Sequence, residues 1–252
     1  MTGRLAGRRV LVVGAGTRPS AEEDPPAGNG RAIAVTAARE GAHVICADVD
    51  TLAADDTASL ITGDGGSAGV VTVDVADTAA CLGLPELTGP VDGLVLNTGI
   101  GAGFTLEGTS AADWDRVFAV NLRAHFLLCQ AFLPRMDGGA IVFVGSVAGL
   151  RAGSRIPAYE ASKAGLAGLA RNVALEGARR GVRANLIAPG LIDTPLGRDA
   201  ARHWKHRDRV RVPLGRQGTA WEVAAVTCFL LSGESSYVTG QTLAVDGGLT
   251  LV

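Results

Sequence analysis

The sequence lacks the long apolar segments and the charge imbalance that mark membrane proteins and nucleic-acid-binding proteins. No uninterrupted apolar run approaches the roughly 20 residues of a membrane span. The apolar run 10–13 is too short for a signal peptide, because glycine follows it directly. With 23 basic and 25 acidic residues, the formal net charge is −2, which gives no general attraction to nucleic acid or to an anionic membrane. We therefore expect a soluble, cytoplasmic protein that binds a small molecule.

Cysteine and histidine are also sparse. The four cysteines are widely separated, form no Cys-x-x-Cys pair and lie among apolar residues, at Cys46, Cys81, Cys129 and Cys228. Cysteine in such surroundings usually behaves as a small hydrophobic residue. The histidines show no metal-ligand spacing with cysteines or carboxylates, and they are His43, His125, His203 and His206. We expect reduced cysteines in the core and no catalytic metal.

What the sequence does contain is a series of short β-branched apolar runs, each followed by an alanine-rich segment of helical length. The runs lie at 9–13, 43–47, 70–73, 93–96, 140–144, 183–187 and 242–245. Continuous apolar strands that alternate with helices favour a parallel sheet covered on both faces. An antiparallel sheet would need polar and apolar residues to alternate within the strands, and they do not. The sequence therefore predicts a doubly wound α/β (Rossmann) fold with a seven-stranded parallel sheet.

The chain shows no sign of division into two domains. No linker rich in proline, serine or charge interrupts the 252 residues, and no repeat of solenoid period is present. Since 47% of the residues are hydrophobic, there is enough apolar material for one large core. We expect a single domain over 1–252. Two irregular segments, 17–27 and 191–213, interrupt the strand and helix pattern, and such loops in compact domains are usually functional or disordered.

Glycines follow the first predicted strand and open the next helix. Gly14 and Gly16 end the strand, and the helix is expected to begin at Gly28, Asn29 and Gly30. Glycines at such a junction allow a tight turn and a close approach to a pyrophosphate, which backbone N–H groups and the helix dipole then meet. The alternative is that these residues, among 35 glycines, merely mark a turn.

Acidic residues follow the second and third predicted strands. Asp48 is where a dinucleotide-binding fold presents a carboxylate to the adenosine ribose, and that carboxylate repels the 2′-phosphate of NADP. Asp74, with Val75 beside it, is placed to contact the adenine. The alternative for Asp48 is an aspartate that only begins a turn.

The helix expected after the fifth strand carries Tyr159 and Lys163, four positions apart and on one face. A tyrosine with a pKa near 10 is a poor acid or base at neutral pH. A cation about 4 Å away, at an effective dielectric constant of about 20, is worth roughly 4 kcal/mol, or about 3 pKa units. That is enough to make the phenol useful in proton transfer. By itself the pair is weak evidence, because many surface helices contain one.

Seven motifs, in order, resemble those of the short-chain dehydrogenase/reductase family. They span nearly the whole chain, and their order and spacing make chance agreement remote. The motifs lie at 13–30, 96–100, 120–122, 144–149, 159–163, 185–190 and 238–248.

The resemblance implies a catalytic tetrad. Tyr159 resembles the general acid/base of the family, and Lys163 resembles its partner, which lowers the tyrosine pKa and holds the nicotinamide ribose. Ser146 resembles the hydroxyl that orients the substrate oxygen. Asn121 resembles the residue whose backbone holds the water of a proton relay behind Lys163. Further cofactor contacts are implied at Asn97, Gly99, Pro189, Gly190, Ile192 and Thr194.

The chain departs from the family pattern in two places. Val13 replaces the threonine of the first motif, and ten extra residues separate Gly14 from Gly28. The family's Asn-Asn-Ala-Gly is 96–99 here, with Leu96 and Thr98 in place of the first asparagine and the alanine. These departures bear on the cofactor contacts rather than on the fold.

Together these residues predict an NAD-dependent oxidoreductase that interconverts a secondary alcohol and a ketone, with NADP less favoured. One alternative is an NADPH-linked 3-oxoacyl-thioester (acyl-carrier-protein) reductase. Another is a non-catalytic, nucleotide-sensing regulator on the same fold, which the four filled tetrad positions disfavour. The family also implies a homotetramer, formed through two long helices expected at 111–133 and 158–180 and through the C-terminal strand.

The two irregular segments carry opposite charges. In the segment 191–213, which resembles the family's substrate flap, basic residues cluster at Arg202, Lys205, Arg207, Arg209 and Arg211, with Asp208 opposing them. Either this is a solvated helix face or it attracts an anionic substrate. We expect the insertion 17–27 to cover the pyrophosphate, with Arg18 meeting the phosphates and the acids facing water, namely Glu22, Glu23 and Asp24. The alternative is a surface insertion without a role.

Overall fold

The computed structural model describes residues 3–20, 22, 24–203 and 211–252. Its centre is a seven-stranded parallel sheet with the order β3-β2-β1-β4-β5-β6-β9. The strands of that sheet are β1 (Arg9–Val13), β2 (His43–Asp48), β3 (Ser67–Thr72), β4 (Gly93–Leu96), β5 (Ala140–Val144), β6 (Arg183–Pro189) and β9 (Thr242–Val245). Two short strands, β7 (Ile192–Asp193) and β8 (Gly218–Thr219), pair separately. The predicted seven-stranded parallel fold is confirmed.

Helices connect the strands and cover both faces of the sheet. They are α1 (Asn29–Arg39), α2 (Thr51–Gly63), α3 (Thr78–Thr88), α4 (Ala111–Phe118), α5 (Ala124–Phe132), α6 (Pro157–Gly177), α7 (Pro195–His203) and α8 (Ala220–Leu231). A π-helical turn, Ala119–Arg123, joins α4 to α5.

The sheet separates two apolar cores, because successive residues of a strand point to opposite faces. In β1, Val10 and Val12 pack into the core that holds residues of α1, α2 and α8. Leu11 and Val13 pack into the other core, with residues of α3, α5 and α6. Since both faces are covered, the strand is apolar throughout rather than alternating, and this is why the sequence pattern indicated a parallel sheet.

Some element boundaries differ from the prediction. The third strand was expected at 70–73 but runs from Ser67 to Thr72. Its first residues are small and show no apolar pattern, yet they pair with β2 from His43 onwards. The helix expected at 158–180 ends at Gly177 and continues as a 3₁₀ turn, Ala178–Arg180. Pairing with a neighbouring strand, which a local pattern does not reveal, sets the true start of an edge strand.

The topology fixes where a ligand can bind. β1 lies between β2 and β4, and the connections run outward from it in both directions. In open parallel sheets, ligands bind in the crevice beyond the carboxyl ends of the strands at this reversal point. Val13, Asp48 and Leu96 end the three strands concerned, so the loops that follow them meet at one edge of the sheet.

One helical stretch, residues 111–135, is long and apolar enough to cross a membrane by length and composition alone. Half of its apolar window is buried inside the protein, and core helices of water-soluble proteins meet the same criterion. The four cysteines are free and buried, as expected. Burial raises the pKa of Cys46 and of Cys228 to about 12, so these thiols stay protonated.

Candidate active site

A cavity of about 380 Å³ lies at the carboxyl ends of the central strands. Its wall contains thirteen of the sequence-predicted residues outside the flap segment, and Thr194 from that segment. The thirteen are Gly14, Gly16, Arg18, Gly28, Asn29, Gly30, Asp48, Asp74, Val75, Asn97, Gly99, Tyr159 and Lys163. The cavity therefore joins the glycine turn at one end to the Tyr159–Lys163 pair at the other.

The glycine turn is packed too tightly for side chains. Gly14 has a φ of 85°, which favours glycine. A Cβ on Gly30 would lie 1.8 Å from the carbonyl oxygen of Gly14. The same carbonyl oxygen accepts a hydrogen bond of 2.7 Å from Nδ2 of Asn97. Gly28 precedes the first turn of α1, so the free N–H groups of that turn stand at the cavity, where the helix dipole favours an anion.

Asp48 is held at the end of β2 by backbone donors. Its Oδ2 accepts a hydrogen bond from the N–H of Gly16 at 2.8 Å, and its Oδ1 accepts one from Asp50 at 3.2 Å. The carboxylate therefore has a fixed position on the cavity wall. Val49, which is 64% exposed, lines the cavity beside it, and the sequence analysis did not single out this residue.

Asp74 and Val75 lie in the turn after β3. Asp74 is exposed and its Oδ1 accepts a hydrogen bond of 2.9 Å from Ala76, while Val75 is buried. Both line the cavity. Because β3 ends at Thr72, Asp74 stands two residues beyond the strand rather than at its end.

Tyr159 and Lys163 lie on one face of α6, as their spacing predicted. The Lys163 nitrogen is 5.8 Å from the centre of the Tyr159 ring and donates a hydrogen bond of 2.9 Å to the carbonyl oxygen of Val144. Lys163 is only 4% exposed. Burial disfavours the ammonium and lowers the pKa of Lys163 to about 8.

Asn121 and Ser146 do not belong to the wall of this cavity. Asn121 is fully buried in the π-helical turn, where its side chain accepts from the N–H of Ile100 at 2.8 Å and donates to the Ile100 carbonyl at 2.9 Å. Its Nδ2 also donates to Ser162, whose hydroxyl donates to the Tyr159 carbonyl. Ser146 follows β5, and its Oγ accepts a hydrogen bond from Ala148 at 3.1 Å. Asn121 thus fixes the loop after β4 against α6.

In the segment that follows β6, the residues that line the cavity begin at Thr194. Pro189, Gly190 and Ile192 are absent from its wall, whereas Thr194 lines it. Ile192 is 5% exposed and packs into an apolar core. Strand β7 points its side chain toward the interior, and the cofactor contact that the resemblance implies at Ile192 stays a prediction. Pro195 and Leu196, which the sequence analysis did not single out, line the cavity instead.

The insertion 17–27 lies at the cavity and reaches α7. Its ends are joined by a hydrogen bond of 3.0 Å from the N–H of Gly28 to the Thr17 hydroxyl. Arg18 is exposed and lines the cavity, as do Thr17 and Pro19. The expectation that Glu22 faces water is wrong, because its carboxylate forms an ion pair with Arg198 of α7.

The ion pair extends into the flap segment. Arg198 also donates two hydrogen bonds to Asp193, of 2.7 and 2.8 Å, and these acids raise its pKa. Glu23 and residues 204–210, which include Lys205, Arg207, Asp208 and Arg209, lie outside the described residues, as does the side chain of Arg202. The proposed basic face of the flap therefore stays a prediction.

The residues present fit a dinucleotide. The glycine turn leaves a cradle that one Cβ on Gly30 would fill, and it lies beside the first turn of α1, whose N–H groups have no partner within the helix. The Oδ1 atom of Asn29, on the cavity wall, is buried without a hydrogen-bond partner among the described residues. Amide O and N positions are interchangeable assignments, so this side chain can present either a donor or an acceptor to a bound group.

Comparison with known proteins agrees with this geometry. A family profile described as "Enoyl-(Acyl carrier protein) reductase" matches residues 26–250. The 2-(S)-hydroxypropyl-CoM dehydrogenase 3 of Xanthobacter autotrophicus is 36% identical over 265 residues and covers all of both chains. The 3-oxoacyl-[acyl-carrier-protein] reductase FabG of Thermotoga maritima is 36% identical over 255 residues, which cover 98% of this chain and 100% of the relative.

The chain is also similar in fold and sequence to solved structures. A protein from Agrobacterium tumefaciens, provisionally designated a 2-deoxy-d-gluconate 3-dehydrogenase and solved with bound NADP, is 37% identical and superimposes with a TM-score of 0.88. The match covers 98% of each chain. These similarities extend over the glycine turn, the Tyr159–Lys163 helix and the last strand alike.

Proposed function

The chain belongs to the short-chain dehydrogenase/reductase family, an assignment from which we propose that it is an NAD-dependent enzyme with Tyr159 as its general acid/base. Family membership makes it an oxidoreductase that acts on CH–OH groups and binds NAD or NADP. The proposal adds the choice of NAD, the roles of the residues and the substrate as a free secondary alcohol or ketone.

The observation that carries the proposal is the shared cavity. Tyr159 and the buried ammonium of Lys163 line one end, and the glycine turn and the Asp48 carboxylate line the other. The glycines and Asp48 would hold a dinucleotide in the same cavity that Tyr159 lines. The cavity would thus bring a hydride carrier and the proton-transfer group together, as alcohol oxidation requires.

The proton and the hydride take separate routes. Nicotinamide, when bound, supplies the acceptor of hydride for alcohol oxidation and the donor for ketone reduction. In oxidation the Tyr159 oxygen accepts the hydroxyl proton, the C–H bond breaks with its electron pair as hydride, and the C=O bond forms. In reduction Tyr159 returns that proton to the carbonyl oxygen. The Lys163 ammonium stabilises the phenolate form of its neighbour.

Ser146 and Asn121 have supporting roles in this proposal. The Ser146 oxygen accepts a hydrogen bond from Ala148, so its own proton remains for donation to the substrate oxygen. Asn121 holds the Ile100 backbone by two hydrogen bonds. It thereby fixes the cavity wall at Ile100.

The preference for NAD rests on Asp48. A fixed carboxylate accepts hydrogen bonds from the ribose hydroxyls of NAD but repels the 2′-phosphate of NADP. The Agrobacterium relative was solved with NADP, and Arg18 at the same cavity is a cation that could contact that phosphate. Asp48 is fixed by Gly16 and Asp50, whereas Arg18 is exposed, so repulsion from the carboxylate is the larger effect in this proposal.

A pair of variants tests the catalytic role. Tyr159 and Tyr237 are the two tyrosines of the chain, and Tyr237 is fully exposed. Tyr159→Phe should reduce kcat by at least about 100-fold, the usual contribution of a general acid or base, while NADH still binds by fluorescence titration. Tyr237→Phe should leave kcat unchanged. Equal kcat for Tyr159→Phe and the wild type would rule out the mechanism.

The substrate is proposed only as a class. The T. maritima relative supports the second candidate, an NADPH-linked 3-oxoacyl-thioester reductase. A panel of secondary alcohols, cyclic diols, hydroxysteroids and 3-hydroxyacyl thioesters, each tried with NAD and NADP, distinguishes the two. Turnover of the thioesters alone, with NADP, would replace the first proposal by the second.

Assembly and location are also proposals. We propose a cytoplasmic homotetramer that buries exposed apolar residues on the two long helices, such as Trp114, Phe126 and Leu175, which are 38%, 47% and 74% exposed. Light scattering at micromolar concentration tests the assembly, and a monomer would contradict it.

A further inference from the structure

His125 is a buried histidine for which the proposed reaction has no use. It lies in α5, one turn after Asn121, and is fully buried. Its ring lies nearly perpendicular, at 89°, to the ring of Phe143 in β5, with ring centres 6.3 Å apart. Its Nε2 is 3.2 Å from the hydroxyl oxygen of Thr98, which lines the cavity. A buried polar pair of this kind normally holds a definite arrangement of the backbone.

The backbone that this pair holds runs past the Lys163 ammonium. A Cβ on Gly99 would lie 3.1 Å from the Lys163 nitrogen, so the segment 98–100 covers the ammonium directly. Asn121 anchors this segment at Ile100 by two hydrogen bonds. His125 anchors it at Thr98, on the other side of Gly99. Two polar anchors, Asn121 and His125 from the same helical stretch, therefore lie on either side of Gly99, the residue beside the ammonium.

The His125 side chain is a neutral imidazole at physiological pH. Burial and the charge of Lys163 lower the pKa of His125 to about 3, while the Asn121 carbonyl acts in the opposite direction. Its Nδ1 lies near that carbonyl but makes no hydrogen bond of good geometry within the described part of the chain. The titratable groups assembled at this place are His125 from α5 with Tyr159 and Lys163 from α6. A second cation here would repel the ammonium, so an uncharged anchor suits the site.

We propose that His125 is a positioning residue of the active site, which acts through Thr98 to hold the segment 98–100 against the Lys163 ammonium. The proposal rests on the proposed role of Lys163. The family pattern has alanine where this chain has Thr98, and alanine has no hydroxyl to bond an imidazole. In this chain the threonine supplies the hydroxyl that the imidazole contacts at 3.2 Å. Because burial is what lowers the pKa of Lys163, loosening this cover should raise it.

The pKa of Lys163 can be measured directly, because the chain has few lysines. Lys163 and Lys205 are its two lysines, so in a Lys205→Arg background a protein labelled with ¹³C at lysine Cε gives the signal of Lys163 alone. An NMR titration of the protein without cofactor then reports the Lys163 pKa independently of any activity. Thr98→Val removes the hydroxyl at constant shape, and Thr98→Ser, which keeps it, is the matched control.

A second variant separates positioning from stability. Thr98→Val leaves a buried imidazole nitrogen without its partner and should destabilise the protein, whereas replacing both partners removes that penalty. The double variant Thr98→Val/His125→Phe should therefore recover thermal stability without recovering the Lys163 pKa. If Thr98→Val does not fold, the double variant provides the measurement.

The expected result is a rise of about one unit in the Lys163 pKa, a tenfold change in proton affinity, in Thr98→Val and in the double variant. Thr98→Ser should titrate like the wild type. Unchanged Lys163 titration in both hydroxyl-free variants would overturn the proposal, as would a Thr98→Ser pKa equal to that of Thr98→Val. A protein without dehydrogenase activity would contradict the proposed function and leave this titration valid.

Discussion

Replacing Asp48 by asparagine tests the cofactor preference most directly. The substitution removes one negative charge but keeps an oxygen that can accept the hydrogen bond from Gly16, which is 2.8 Å long in the wild type. The loop after β1 should therefore keep its position. Any change in the preference for NAD over NADP then results from the lost charge and not from a rearranged loop.

The magnitude follows from Coulomb's law. Two unit charges about 5 Å apart interact by roughly 3 kcal/mol at an effective dielectric constant of about 20, and by less than about 1 kcal/mol in water. Asp48 is half-buried on the cavity wall, so we expect a value between these limits. About 1 to 3 kcal/mol corresponds to roughly 5- to 150-fold in kcat/KM.

The assay compares kcat/KM for NAD and NADP with one alcohol. The wild type should prefer NAD, and Asp48→Asn should reduce that preference by the factor above, chiefly through a lower KM for NADP. Asp77→Asn is the matched control, because it removes the same charge from the cap of α3, away from the cavity wall, and asparagine still caps a helix. A wild-type preference for NADP, or an unchanged ratio in Asp48→Asn, would refute the reasoning.

Three further outcomes follow. Gly30→Ala should abolish NAD binding, since its Cβ would lie 1.8 Å from a carbonyl oxygen, whereas Gly83→Ala, with open space around it, should not; calorimetric titration checks this. Glu22→Gln should raise the NAD dissociation constant several-fold at low salt, because the Glu22–Arg198 ion pair holds the insertion against α7. Asp24→Asn should leave that dissociation constant unchanged. Since the Lys163 pKa falls from 10.5 to about 8, the folded chain binds fewer protons than the unfolded chain between these pH values. The unfolding free energy should therefore rise by up to about 3 kcal/mol across that window in the wild type and not in Lys163→Met, as measured by denaturant titration without cofactor.

Much of the fold could be predicted because its signals are local. Continuous apolar strands between alanine-rich helices indicate a parallel sheet wherever they occur, and six of the seven strands were placed to within two residues. The edge strand β3 was the exception in its start, because Ser67 and the small residues after it are fixed by pairing with β2 and not by their own pattern.

The candidate site also contains residues that local patterns predicted and residues that they did not. Tyr159 and Lys163, four residues apart on one helix, and the glycines at the end of β1 could be located because they belong to motifs in a fixed order along the chain. The cavity brings them together. The burial of Ile192 could not be predicted, because strand β7 determines which way its side chain points and a motif does not give that direction. Residues such as Val49 and Leu196 have ordinary apolar character, so nothing local distinguishes them from core residues.

The sequence by itself determined the sheet, the family and the residues able to transfer a proton, because each depends on a short repeating pattern or on a motif at fixed spacing. Only the tertiary structure decided which distant residues meet. Thr98 contacts His125 and Glu22 contacts Arg198, across separations of 27 and 176 residues. Such contacts depend on where each loop leaves the sheet and on how the helices pack, and no local pattern of residues encodes either.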